Sequence, residues 1–154
     1  MDRRAIYAMT ATHPVSVEVI ATAIADAAKS GTPLRVRGRG GWMHAGRETQ
    51  TVEVLDVGTW SGIVDSVPGD LTLTARAGTT LAEIAAVTRP EGQWLALDAP
   101  CGPASSLGAV LATSATGPLA ATVGHPRDVT LGVEVVTGTG EITRAGGRVV
   151  KNVA

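Results

Sequence analysis

Residues 37–42 read Arg37-Gly38-Arg39-Gly40-Gly41-Trp42, with three glycines in four consecutive positions after Arg37. Glycine permits positive φ and close approach of backbone to a ligand. Successive N–H groups in such a turn converge on an anion such as a phosphate oxygen. Upstream, Leu34-Arg35-Val36-Arg37 alternates apolar and charged, which predicts a short strand feeding the turn. Arg35, Arg37 and Arg39 share strand parity, so the pattern predicts that they project together and add positive potential beside the turn. The other reading is a Gly-rich turn flanked by solvated arginines. Two common nucleotide loops are excluded. No Gly, four residues, then Gly-Lys-Ser/Thr occurs anywhere in the chain. A dinucleotide fingerprint begun at Gly38 needs glycine at position 43, which is Met43. The loop also precedes strand-rich sequence rather than opening a helix.

Working outward, Ser16 is an N-cap candidate for a helix over 16–29, with Glu18 in its first turn. Val17, Ile20, Ala21, Ile24 and Ala28 follow helical spacing, and Gly31 stands at the expected C-cap. Residues 51–55, 63–67 and 71–75 read as strands. Thr80-Leu81-Ala82-Glu83 is a capping-box pattern opening a second helix that Pro90 ends. Residues 107–113 form a short apolar helix behind Ser105 or Ser106. Residues 129–137 and 141–144 read as a hairpin turned by Gly138-Thr139-Gly140. Helices scattered among short strands predict an α+β fold rather than regular alternation.

A second chemistry-bearing segment runs Pro100-Cys101-Gly102-Pro103-Ala104-Ser105-Ser106-Leu107-Gly108-Ala109 and continues to Ser114-Ala115-Thr116-Gly117-Pro118. A loop feeding a small-residue helix is expected to aim its free N–H groups at a ligand. The plain alternative is a loop with a tightly packed helix.

Composition narrows the classes. The chain has 154 residues, 44% hydrophobic and 18% charged, with a formal net charge of -1, so long disorder is excluded. That near-neutral charge also argues against a nucleic-acid binder. No apolar run approaches the roughly 20 residues that span a bilayer, and no signal peptide is visible at the N-terminus. One cysteine excludes an internal disulfide framework and a cysteine-rich zinc site. There is no Phe, so the core must be built from Val, Ile, Leu and Ala. The expectation is a soluble cytoplasmic chain with a lead-in at 1–13 and one domain over 14–154.

In order, these segments resemble the FAD-binding domain of the PCMH-type, vanillyl-alcohol-oxidase flavoprotein superfamily. Within it they are most similar to the FAD-binding subunits of bacterial glycolate oxidases. The Gly loop resembles the family's R-G-x-G pyrophosphate loop. Gly78-Thr79-Thr80-Leu81-Ala82-Glu83 resembles its helix start, and Ser106-Leu107-Gly108-Ala109 its T-L-G-G stretch. Ser114-Ala115-Thr116-Gly117-Pro118 resembles S-G-P, and residues 124–132 resemble G-x-x-R-D-x-x-L-G. The tail 146–154 resembles a motif that continues Gly-Tyr-Asp, so the domain reads as partial. The resemblance implies a fold of two α/β subdomains, the second incomplete at the C-terminus.

The resemblance also implies roles. Gly38, Arg39, Gly40, Gly41 and Trp42 would hold the FAD pyrophosphate through backbone N–H groups. Ser106, Leu107 and Gly108, with Ser114 and Gly117, would line the other side of the cofactor, and Val133 would come near the adenosine half. Many relatives bond FAD through a histidine that here is Gly41, so non-covalent FAD is expected. Cys101 is out of register with the cysteine some relatives bond to flavin. His44 is expected to be a loop histidine, and His125 with Asp128 a structural turn. No metal site and no catalytic base is assigned. The implied activity is oxidation of a small 2-hydroxy acid such as glycolate. The implied partners are a second flavin subunit and an iron–sulfur subunit, with any inner-membrane association made through them. The alternatives are a non-catalytic assembly fragment, or a module for another phosphate-bearing ligand that does not hold FAD.

Overall fold

The computed structural model describes residues 11–46 and 53–147. Positions 51 and 52 of the strand expected over 51–55 and the tail motif beyond 147 lie outside the described residues. Strand β1 (Ala11–Thr12) is followed by helix α1 (Val17–Ser30) and strands β2 (Leu34–Arg37) and β3 (Glu53–Asp56). These three strands form a parallel sheet in the order β1-β3-β2. Strand β1 falls within the stretch read as a lead-in, and it is held by pairing with Val54 and Leu55.

Helix α1 forms where its spacing puts it. Its N-cap Ser16 accepts from the Val19 N–H at 3.3 Å, and Gly31 ends it in the left-handed region. It buries Ile20 and Ala21. Strand β3 is the central one, and its adjacent Val54 and Leu55 are both buried, so both faces of the sheet are covered there. Edge strand β2 instead leaves Val36 exposed.

The chain then makes an antiparallel pair, β4 (Ile63–Val67) with β5 (Thr72–Ala75). Helix α2 (Leu81–Thr88) follows, capped as expected, and Pro90 lies in the single 3-10 turn that follows it. Helix α3 (Leu107–Thr113) and the short α4 (Ala120–Val123) come next, and the last described elements are the hairpin strands β6 (Gly132–Val136) and β7 (Ile142–Gly146). Val129, read as the start of the hairpin, instead ends a 3-10 turn over Pro126–Val129, and the first hairpin strand begins at Gly132. Leu55, Ile84 and Val110, from β3, α2 and α3, are the most deeply buried large side chains. With no Phe available, aliphatic residues carry this core.

The mixture of helix and strand is the expected α+β class. It also sets the site. Strands β2 and β3 run parallel and deliver their carboxyl ends to one side, where α/β proteins bind ligands.

Candidate functional site

The chain leaving β2 forms the Gly-rich loop, and the chain leaving β3 forms a 3-10 turn over Val57–Thr59 beneath it. The two strand ends are tied by charge. Arg37 and Asp56 are register partners, and the Arg37 guanidinium donates to Asp56 Oδ2 at 2.5 Å. The other carboxylate oxygen accepts from the Gly58 N–H at 2.9 Å. Burial pushes the Asp56 carboxyl up, but Arg37 and the Gly58 N–H together outweigh it and hold the group below its ordinary value.

The other arginines also brace the loop. Arg35 donates to the Met43 carbonyl at 2.5 Å. Arg39 donates through Nε to the Gly78 carbonyl at 3.1 Å and reaches Glu83 at 3.4 Å. The three arginines expected to project together beside the turn are thus also engaged by protein oxygens. Their side chains reach the cavity wall, but their donors hold carbonyl and carboxylate oxygens of neighbouring segments. Glu83 itself is held below its ordinary value, first by the Thr80 hydroxyl and then by the Thr80 N–H, with Arg39 adding to the effect.

A cavity of about 360 Å³ lies between this loop and the start of α3. Gly38, Arg39, Gly40, Gly41 and Trp42 line one side, and Cys101, Ala104, Ser105, Ser106 and Ala109 the other. Gly40 has φ +80°, a value that favours glycine, and this bends the loop around the cavity. The N–H groups of Arg39, Gly40, Gly41 and Trp42 find no acceptor among the other described residues. Across the cavity, Ser105 and Ser106 are 6% and 2% exposed, and neither hydroxyl has a hydrogen-bond partner among the described residues. Unpaired buried hydroxyls are costly, and a set of them facing free N–H groups fits a polar ligand.

The remaining expected residues sit elsewhere. Leu107 and Gly108 open α3 beside the cavity, but their N–H groups donate to the carbonyls of Thr79 and Ala77, both at 2.8 Å. The reading of α3 as a source of free N–H groups is thus corrected at these two positions. The helix is stitched to the loop before α2, where Gly108 leaves no room for a side chain beside Ala77. Ser114 caps α3 at φ 49°, and Gly117 lies against Asp98, whose main-chain carbonyl accepts its N–H at 2.6 Å. Val133 pairs with Ala145 in the hairpin. None of Leu107, Gly108, Ser114, Gly117 and Val133 lines the cavity. Ser105, Ala104 and Cys101 do line it and were not singled out as ligand contacts, and their sequence signal was only proximity to Ser106.

His44 is an exposed loop residue at the rim of a second, wider recess that shares Arg37 to Gly40 and is closed by Asp56, Gly58 and Thr59. The His125 N–H donates to Asp128 Oδ2 at 2.7 Å, and that bond is the main cause holding the Asp128 carboxyl below its ordinary value. The pair serves the turn at Pro126. No group of three or more His, Cys, Asp or Glu among the described residues is arranged to hold a metal ion.

Parallel strand ends, a braced Gly-rich loop and a facing serine pair make a site that fits a phosphate-bearing ligand. The chain belongs to the FAD-binding domain family, whose model matches residues 10–146. It is 39% identical over 124 residues to the glycolate oxidase subunit GlcE of Escherichia coli K12, covering 80% of this chain and 35% of that one. Among solved structures, a grass pollen allergen with glucose dehydrogenase activity, Phl p 4, superposes with a TM-score of 0.75 at 19% identity. That match covers 88% of this chain and 28% of the allergen. The 6-hydroxy-D-nicotine oxidase of Arthrobacter nicotinovorans gives 0.75 at 18% identity, over 93% of this chain and 33% of the oxidase. The chain thus spans about a third of the length of these relatives. The two structural likenesses carry the PCMH-type fold. No helix among the described residues is long and apolar enough to cross a membrane.

Proposed function

We propose that this chain is the FAD-binding part of a subunit of a flavin-dependent oxidoreductase that acts on a small 2-hydroxy acid such as glycolate. The observation that carries the reading is the run of four N–H groups, Arg39 to Trp42, with no acceptor among the described residues, on the cavity wall opposite Ser106, whose hydroxyl likewise has no partner among them. These donors match the pyrophosphate of a dinucleotide. A bound flavin supplies the two-electron acceptor for hydride removal from the hydroxy acid. The chain's own part is to bind and orient. The loop N–H groups donate to phosphate oxygens, and the Ser105 and Ser106 hydroxyls donate from the facing wall. Leu107, Gly108, Ser114 and Gly117 line the second side of the cofactor and Val133 comes near its adenosine half, as their motif positions imply. Gly41 offers no side chain for a bond to flavin, so FAD is held without a covalent link. The 2-hydroxy-acid substrate, and partnership with a second flavin subunit and an iron–sulfur subunit, rest on the likeness to one glycolate oxidase subunit. Such a protein works in the cytoplasm, and its partners make any contact with the inner membrane.

The test is a visible absorption spectrum of the expressed chain after loose flavin is removed, alongside a Gly40→Val/Gly41→Val double variant. The expected result is a bound-flavin spectrum that the double variant lacks. A double variant that keeps full affinity contradicts the role of the loop. A folded chain that takes up no added FAD but binds another phosphate-bearing ligand favours the non-flavin module.

A further inference from the structure

The Cys101 thiol is free and exposed, yet it is not aimed at open solvent alone. Its S–H points to the Gly41 carbonyl oxygen, with Sγ 3.9 Å away. A methyl group built on Gly41 would lie 3.4 Å from the same sulfur, so the sulfur stands directly over that glycine. Both residues line the cavity between the Gly-rich loop and α3. The same cavity is walled by Ser105 and Ser106, each more than nine-tenths buried and each with a hydroxyl that has no partner among the described residues. Those hydroxyls mark the space beside the thiol as one that a polar ligand fills. A free thiol and these buried hydroxyls therefore line one cavity.

We propose that Cys101 is a reversible thiol-modification site, and that a disulfide cap on it closes the cavity beside Gly41 to a phosphate-bearing ligand. The proposal rests on the reading that this cavity takes the FAD pyrophosphate. The capping agent is a low-molecular-weight disulfide of the glutathione class. The Cys101 thiolate attacks one sulfur of glutathione disulfide, and the bond between the two glutathione sulfurs breaks. One glutathione leaves as a thiolate and takes up the proton that Cys101 gave to water. Cys101 is oxidised to a mixed disulfide, and one glutathione is reduced to its thiol. The reaction is reversible by added thiol.

Two effects make the cap and the ligand exclusive. The cap is a tripeptide tethered where the sulfur already touches the loop, so it crowds the N–H groups of Gly40 and Gly41. Glutathione also carries one more carboxylate than ammonium group. That negative charge sits well within a Debye length of about 10 Å from a bound phosphate, so it repels it. Cys101 is the sole cysteine of the chain, so every mixed disulfide formed reports this position.

The experiment treats the intact chain with glutathione disulfide and confirms the added mass. FAD affinity is then read by flavin fluorescence before treatment, after treatment and after reduction with dithiothreitol. The expected result is a rise in Kd of about tenfold or more on capping. Reduction restores the affinity, and the affinity of Cys101→Ser does not respond to the disulfide. Saturating FAD is expected to slow the capping of Cys101 in the untreated chain. Equal FAD affinity in capped and reduced chains overturns the inference and leaves the FAD reading intact. So does a Cys101 that takes no cap while the reduced chain binds FAD. A reduced, folded chain that binds no FAD overturns both.

Discussion

A methyl group on Gly38 would lie 2.4 Å from the Ser106 hydroxyl oxygen, so at this one position the Gly-rich loop meets the N-cap of α3 with no room for a side chain. Serine Cβ stands farther off, at 3.5 Å. The clash is therefore with the hydroxyl alone. Gly38→Ala is expected to cost ~1–3 kcal/mol by overpacking. Adding Ser106→Ala removes the offending oxygen, so the double variant is expected to recover much of that loss. Urea unfolding of the two single variants and the double closes the cycle. Additive losses would mean that the loop yields in some other direction.

Thr80 and Glu83 brace the opposite side of the loop. The Glu83 carboxylate accepts from the Thr80 N–H at 2.6 Å, and the Glu83 N–H donates to the Thr80 hydroxyl at 3.1 Å. The same carboxylate receives Arg39 from the loop. Thr80→Ala is expected to cost ~1 kcal/mol, the usual worth of such a cap, seen as a lowered thermal midpoint. Because Glu83 serves both the cap and Arg39, the losses from Thr80→Ala and Arg39→Ala are expected not to add.

Local rules of sequence account for these elements. The cap of α2, the start and end of α1, strand β2 and the bounds of α3 all follow from neighbours within four residues, and the structure keeps them. The partners of the arginines do not follow in this way. Arg37 meets Asp56, and Arg39 meets Gly78 and Glu83, across gaps that only the folded sheet closes. Parity gave the direction of those side chains but not the oxygen atoms waiting for them. Strand β1 is two residues long and exists through its pairing with β3, so no periodicity announces it. The pairing of Leu107 and Gly108 with the loop before α2 is hidden for the same reason. Cys101 and Gly41 lie 60 positions apart and come together only in the folded chain.

Asp56 gives a pH dependence with a definite sign. Its carboxyl is held below the ordinary value in the fold, so the unfolded chain takes up a proton first as pH falls. The stabilisation from this group is fully present above about pH 4, the ordinary carboxylate value. It is lost as pH falls further, through the lower value of the folded state. His13, at 3.7 Å from the same carboxylate, adds to the attraction when it is protonated. Urea midpoints measured from pH 7 downward are expected to fall below about pH 4. Asp56→Asn is expected to be less stable at pH 7 and to show a shallower acid limb. An unchanged limb would place the acid sensitivity in other carboxylates.

Ser106 should separate stability from binding. Its hydroxyl is buried and unpaired among the described residues, which is a standing cost to the chain without ligand. Ser106→Ala removes that cost with almost no change of volume. The variant is expected to gain up to ~1 kcal/mol in the absence of FAD. If the hydroxyl donates to a phosphate oxygen, the same change is expected to weaken FAD by ~1 kcal/mol, or roughly fivefold in Kd. Ser105→Ala, on the same wall, is expected to move both quantities the same way. Paired urea and flavin titrations read the two effects on one preparation. A chain that loses stability on Ser106→Ala would show that the hydroxyl already has a partner in the protein. A chain that gains stability and keeps its affinity would leave the four loop N–H groups as the whole of the phosphate contact.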